Sequence, residues 1–147
     1  MLGVYYQVMS CIFFYGLFMD TDLLRDKGLH PTLVGPAELP GYQIHIGNRA
    51  SLIPSPQSTS YGMLIDLPDE EAPTLYSAPD VSDYRPDSVN AILLKDRTIR
   101  TSLCYNLPAD KLGAGTNAEY AEQLSTLLLK LGFSPAYASQ ITRRGDA

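Results

Sequence analysis

The sequence predicts an α+β protein whose sheet is closed or strongly curved. Three observations carry this. Five or so apolar runs of strand composition, none of them long, cover the chain up to about residue 107. Helical segments are inserted between these runs and appended after them. Proline and glycine mark the joins, as expected where strands turn sharply.

The elements follow in order. Cys11 to Tyr15 is an unbroken apolar run, the pattern of a strand buried on both faces, and the strand is taken to begin at Ser10. Asp20 can cap a short helix through Arg25, which Gly28 ends. Leu39-Pro40-Gly41 reads as a turn, and Tyr42 to Ile46 as the strand after it. Residues 49 to 60 read as irregular, and Ser60 to Leu67 as another strand. A short helical stretch lies among Pro68, Pro73 and Pro79. Residues 89 to 94 and 98 to 107 form a hairpin about Lys95-Asp96-Arg97. In its second strand Thr101, Leu103 and Tyr105 alternate with Ser102, Cys104 and Asn106, as in a strand between two environments. Thr116 and Glu119 form a capping box, followed by an apolar stripe of Tyr120, Leu124, Leu127, Leu128 and Leu131. Gly132 closes that helix, and Ser134-Pro135 opens a last one with Tyr137 and Ile141 on one face.

A chain of 147 residues, 45% apolar and 18% charged, suits one domain with a substantial core. The expected organisation is an extension over residues 1–9, a domain over 10–142 and a tail over 143–147. A net charge of −5 argues against nucleic acid as a partner, because phosphate binding needs clustered Lys and Arg. The acidic excess sits mid-chain, where Asp66, Asp69, Glu70, Glu71, Asp80, Asp83 and Asp87 face only Arg85 in sequence. Such a run is ordinarily a solvated face.

Cys11 and Cys104 lie in apolar strand-like runs without a nearby histidine, so reduced buried thiols in a cytoplasmic protein are the expectation. His30 and His45 are isolated, and no metal site is expected. Residues 1 to 19 carry no charged side chain. Gln7, Ser10 and Gly16 interrupt the apolar run and no Lys or Arg precedes it, so neither a signal peptide nor a membrane span is expected.

Gly16 stands between a buried strand and a helix start, in place of the polar residues of a surface turn. A strand, a glycine and a helix start can aim several backbone N–H groups at one point, with the partial positive charge of the helix N-terminus behind them. That is a cradle for a carboxylate or phosphate, walled by Tyr15, Leu17 and Phe18. A tight packing turn would give the same pattern.

YGLFMDTDLLRDKG, then LPGYQIHIG, RASLIPSP and SYGMLIDL, in that order and spacing, resemble the γ-glutamylcyclotransferase-like (AIG2-like) proteins. The likeness continues through LYSAPDVSDYRPDSV to the C-terminal helices and spans Ser10 to Ile141. It implies a small mixed β-barrel of about five to seven strands with flanking helices and one pocket. It implies that Tyr15, Gly16, Leu17, Phe18 and Tyr84 surround the substrate, with the Tyr-Gly loop holding the amino-acid end of a γ-glutamyl group. The implied reaction is cyclisation to 5-oxoproline with release of an amine. Nucleophile and electrophile share one molecule, so folding the substrate and moving a proton suffice, and no cofactor is called for.

The chain departs from the family pattern at two places. Leu17 stands where the family has Ser or Thr, which removes a hydroxyl and leaves the amides. The family's glutamate aligns with Pro79 when counted from Leu75 and with Asp80 when counted back from Tyr84. Asp80 is therefore the candidate acid/base, with a cap or turn residue as its bland alternative. Two functions stay open: cyclotransfer on a γ-glutamyl amine or dipeptide, and a non-catalytic module binding a small carboxylate or amino acid. A third is an acidic face for protein partners over residues 66 to 87.

Overall fold

The computed structural model of the chain describes residues 8–146. β1 (Met9–Phe14), β2 (Thr32–Ile46), β3 (Ala50–Pro68), β4 (Arg85–Leu93) and β5 (Ile99–Asn106) close into a barrel in the order β1-β3-β2-β4-β5. Neighbours are antiparallel except β1 and β5, which run parallel and meet at Ile12 and Leu103. The sheet is thus mixed and closed, the predicted class with five strands. Closure explains the first apolar run: Ile12, Phe13 and Phe14 are all fully buried, so no face of β1's second half is left for polar residues.

Four helices flank the barrel: α1 (Thr21–Asp26), α2 (Glu71–Leu75), α3 (Ala118–Lys130) and α4 (Pro135–Asp146). The α3 stripe buries Ala121, Leu124, Leu127 and Leu128. The cap of α3 is Asn117, whose side chain accepts the Tyr120 N–H at 3.0 Å, so the helix starts one residue later than the Thr116 box predicts. α4 packs on α3, and the Ser125 hydroxyl donates to the Ala138 carbonyl at 3.0 Å. It runs through residues 143–146, which the sequence reading placed in a tail, and β1 takes in Met9 from the expected extension. The rest of that extension, residues 1–7, lies outside the described residues.

The segment 32–68 departs most from expectation. Leu39-Pro40-Gly41 is not a turn, and residues 49–60 are not irregular. They belong to one long hairpin of β2 and β3. Pairing passes from Pro40↔Thr59 to Tyr42↔Pro54, so Gly41 and residues 55–58 form a wide bulge. Gly41 adopts φ 86°, a left-handed value that glycine supplies without strain. A bulge and a turn need the same residues, and Pro40, Pro54 and Pro56 favoured the wrong reading.

In β5 the alternation is real, but the buried set includes Ser102, Cys104 and Asn106. Asn106 Oδ1 accepts the Leu52 N–H at 3.0 Å, and the Leu107 N–H donates to Ser51 Oγ at 3.0 Å. These buried polar groups are satisfied, and they tie the end of β5 to the start of β3.

Candidate functional site

Beyond β1 the chain turns sharply at Gly16. Leu17–Met19 form a single 3-10 turn, in which the Met19 N–H donates to the Gly16 carbonyl at 3.0 Å. The α1 N-terminus lies further on, where the Asp20 carboxylate accepts the Asp22 N–H at 3.0 Å. The expected helix N-terminus at Gly16 is therefore absent, and with it the dipole contribution. What remains is a set of individual amides. Among the described residues the N–H groups of Gly16, Leu17 and Phe18 donate to no backbone carbonyl outside the regular elements. The Leu17 amide faces the Tyr120 hydroxyl.

Tyr120 also explains the glycine. Gly16 has φ −112° and ψ −153°, which any residue can adopt. A Cβ at this position would stand 2.5 Å from the Tyr120 hydroxyl. The close approach inferred from sequence is thus to a side chain of α3.

The turn opens onto a cavity of about 380 Å³. Tyr15, Gly16, Leu17, Phe18, Asp80 and Tyr84, the six residues singled out in the sequence, all line it. So do Phe14, Lys27, Arg49, Tyr76 and Tyr120, which sequence reasoning missed. Tyr120 belonged to a stripe read as core. Tyr76 was hidden in the proline-rich stretch, and Arg49 in a segment read as irregular.

The walls are aromatic. Tyr76 stacks on Tyr105 with centroids 4.0 Å apart and planes 4° from parallel. Phe18 meets Tyr76 edge-on at 5.7 Å and Phe14 at 6.2 Å. The Tyr15 hydroxyl donates to the Tyr105 carbonyl at 2.7 Å. Contacts of this kind add about 0.5–1.5 kcal/mol each beyond area burial and fix the wall's shape. Burial holds the Tyr15, Tyr76 and Tyr120 phenols well above their ordinary range, so these hydroxyls stay protonated. Burial likewise pushes Tyr84 up to about 12, with Arg49 opposing the rise and Asp80 adding to it.

Asp80 sits on the exposed side of the cavity, in the tight turns between α2 and β4. Its carboxylate has no hydrogen-bond partner among the described residues, and its carbonyl accepts Arg49 Nη1 at 3.2 Å. Other acids nearby are committed. Asp83 Oδ2 pairs with Arg49 Nη2 at 3.0 Å. Glu71 is buried, accepting the His30 N–H at 2.6 Å with His30 Nδ1 2.7 Å from its other oxygen. Among the described residues no group of three His, Cys, Asp or Glu side chains is placed to hold a metal ion, and no helix is long and apolar enough to cross a membrane.

This barrel, with a cavity at the end of its first strand, has the γ-glutamylcyclotransferase-like fold. A solved structure described as a gamma-glutamyl cyclotransferase superposes with a TM-score of 0.73 at 14% identity, over 91% of this chain and 86% of that one. A γ-glutamyl cyclotransferase from yeast, described as specific to glutathione, gives 0.60 at 14% identity, over 94% and 96% of the two chains. An AIG2-like protein from Mus musculus gives 0.59 at 16%, over 86% of each. No family model and no curated protein matches the sequence. What these chains share with this one is the fold.

Proposed function

We propose that the chain binds a γ-glutamyl compound in the cavity beside Gly16 and cyclises it to 5-oxoproline, with Asp80 carrying the proton. One observation bears most of the weight. Among the described residues lining the cavity, Asp80 is the sole carboxylate, and Gly16, Leu17 and Phe18 line the same space. In this reading the amides hold the substrate's α-carboxylate, as the resemblance implies. The α-amine attacks the γ-carbonyl and a C–N bond closes the five-membered ring. The bond to the leaving nitrogen then breaks. Asp80 takes the proton from the attacking amine and returns it to the leaving nitrogen, so no net proton is consumed. The aromatic walls hold the chain folded and limit water at the carbonyl.

A second reading has an observation of its own. Asp80 is exposed, no hydrogen bond orients its carboxylate, and it is one methylene shorter than the glutamate of the family pattern. That favours a module that binds the ligand without turning it over. Release of 5-oxoproline from γ-glutamyl dipeptides and amines separates the two. The expected result is weak turnover, lowered about a hundredfold by Asp80→Asn, or about 2.7 kcal/mol of transition-state stabilisation. Equal rates in both proteins remove Asp80 from the mechanism. No product from the wild type, with 5-oxoproline still bound, selects the binding module.

A further inference from the structure

We infer that Arg49 is the positioning residue for Asp80, a role that rests on the cyclotransfer reading above. The segment carrying Asp80 has no ladder or helix to hold it. Its backbone bonds are short-range: Ser77 N–H to the Thr74 carbonyl, Val81 N–H to Ala78 and Tyr84 N–H to Val81, each at 3.1 Å. The polar ties that leave the segment converge on the tip of the β2–β3 hairpin. Arg49 Nη1 donates to the Asp80 carbonyl at 3.2 Å, and Nη2 donates to Asp83 Oδ2 at 3.0 Å. The same guanidinium lies 5.7 Å above the Tyr84 ring, whose hydroxyl donates to the Ala50 carbonyl at 2.5 Å.

A planar fork of donors can bridge a carbonyl and a carboxylate three residues apart while resting on an aromatic face, which a lysine ammonium cannot do. The arrangement also divides two similar acids. Asp83 pairs with Arg49, and Asp80 is held through its carbonyl, so its carboxylate is left without a hydrogen-bond partner among the described residues. Arg49 also lines the cavity, but both of its guanidinium hydrogen bonds run to the loop, so in this proposal its effect passes through Asp80. A displacement of about 1 Å at a catalytic group can cost up to about a hundredfold in rate.

The test compares 5-oxoproline release by wild type, Arg49→Met, Arg49→Lys, Asp80→Asn and the Arg49→Met/Asp80→Asn double variant. The expected result is a kcat about tenfold lower in Arg49→Met with KM changed far less, and Arg49→Lys in between. In the Asp80→Asn background, Arg49→Met should cost nothing further, because there is no base left to misplace. Losses that multiply in the double variant, or an unchanged kcat in Arg49→Met, overturn the proposal. If the wild type releases no 5-oxoproline, the cyclotransfer reading fails by itself. Amide hydrogen exchange then tests the clamp alone: faster exchange confined to Val81 and Tyr84 in Arg49→Met supports it, and unchanged exchange there overturns it.

Discussion

The cavity has two walls built by different means. The Gly16–Phe18 wall continues directly from β1, whose last three residues are fully buried, and Tyr120 of α3 is wedged against it. The Asp80–Tyr84 wall is a run of turns that one arginine and one tyrosine hydroxyl fasten to a hairpin tip. The first wall shares atoms with the core, so disturbing it disturbs the fold. The second is attached to the core by side chains, so it can move while the barrel stays intact. Binding and stability should therefore respond together at the first wall, and turnover alone should respond at the second.

The largest effect is expected from Gly16→Val. A valine there drives branched methyl groups into the Tyr120 hydroxyl and into the cavity. Overpacking of this kind costs about 1–3 kcal/mol, and 5-oxoproline binding should fall below detection by calorimetry. Arg49→Met, in contrast, should leave the melting temperature nearly unchanged. If Gly16→Val keeps both stability and affinity, the first wall is no more coupled to the core than the second, and the contrast fails.

A finer version uses the smallest side chain. Around a Cβ on Gly16 the next atom beyond the Tyr120 hydroxyl is the ring carbon bearing it, at 3.9 Å, an ordinary contact. Gly16→Ala should therefore cost about 1–2 kcal/mol in the wild type. In Tyr120→Phe, which keeps the ring and removes the oxygen, it should cost little. Denaturant unfolding of the four proteins gives the coupling, expected near 1 kcal/mol. Additive losses would mean that Gly16 is required for something other than Tyr120.

The same contrast governs what could be read from the sequence. The first wall was legible because β1 carries its own signal, an unbroken buried run that stops at Gly16. What the glycine accommodates was not legible, since Tyr120 lies over a hundred residues away and also fits a helix stripe. The start of α1 was legible in the Asp20 cap, whereas the single 3-10 turn of Leu17–Met19 that separates it from Gly16 was not, because three apolar residues carry no signal of where a helix begins. Asp80 was found through the family resemblance, by counting its motif back from Tyr84. Arg49 was not found, because Pro54, Pro56 and the serines around them masked a strand, and an arginine at the tip of an unrecognised hairpin carries no signal. A closed or strongly curved sheet was legible from counting runs, and the mixed barrel followed from the resemblance. Its long β2–β3 hairpin was not, because the bulge at Gly41 uses the residues of a turn.

The smallest effect should come from the thiols, which serve as a control on both walls. Neither Cys11 nor Cys104 lines the cavity. Cys11 sits opposite Asp66 in the β1–β3 register, and burial first, then that carboxylate, push its thiol up to about 11. Burial pushes Cys104 up to about 12 against the opposing pull of the Asn106 side chain. The thiolate is the reactive form, and its fraction falls about tenfold for each pH unit below the pKa. At about pH 8 both thiols are thus far less ionised than a free thiol. Iodoacetamide should therefore modify the folded protein slowly at both positions, as followed by mass spectrometry, and leave 5-oxoproline affinity unchanged over that time. Both cysteines should react promptly once guanidinium unfolds the barrel. Rapid alkylation of the folded protein with loss of binding would place a reactive thiol beside one of the two walls, and the account of a cavity working through amides and Asp80 would have to yield to one with a sulfur nucleophile.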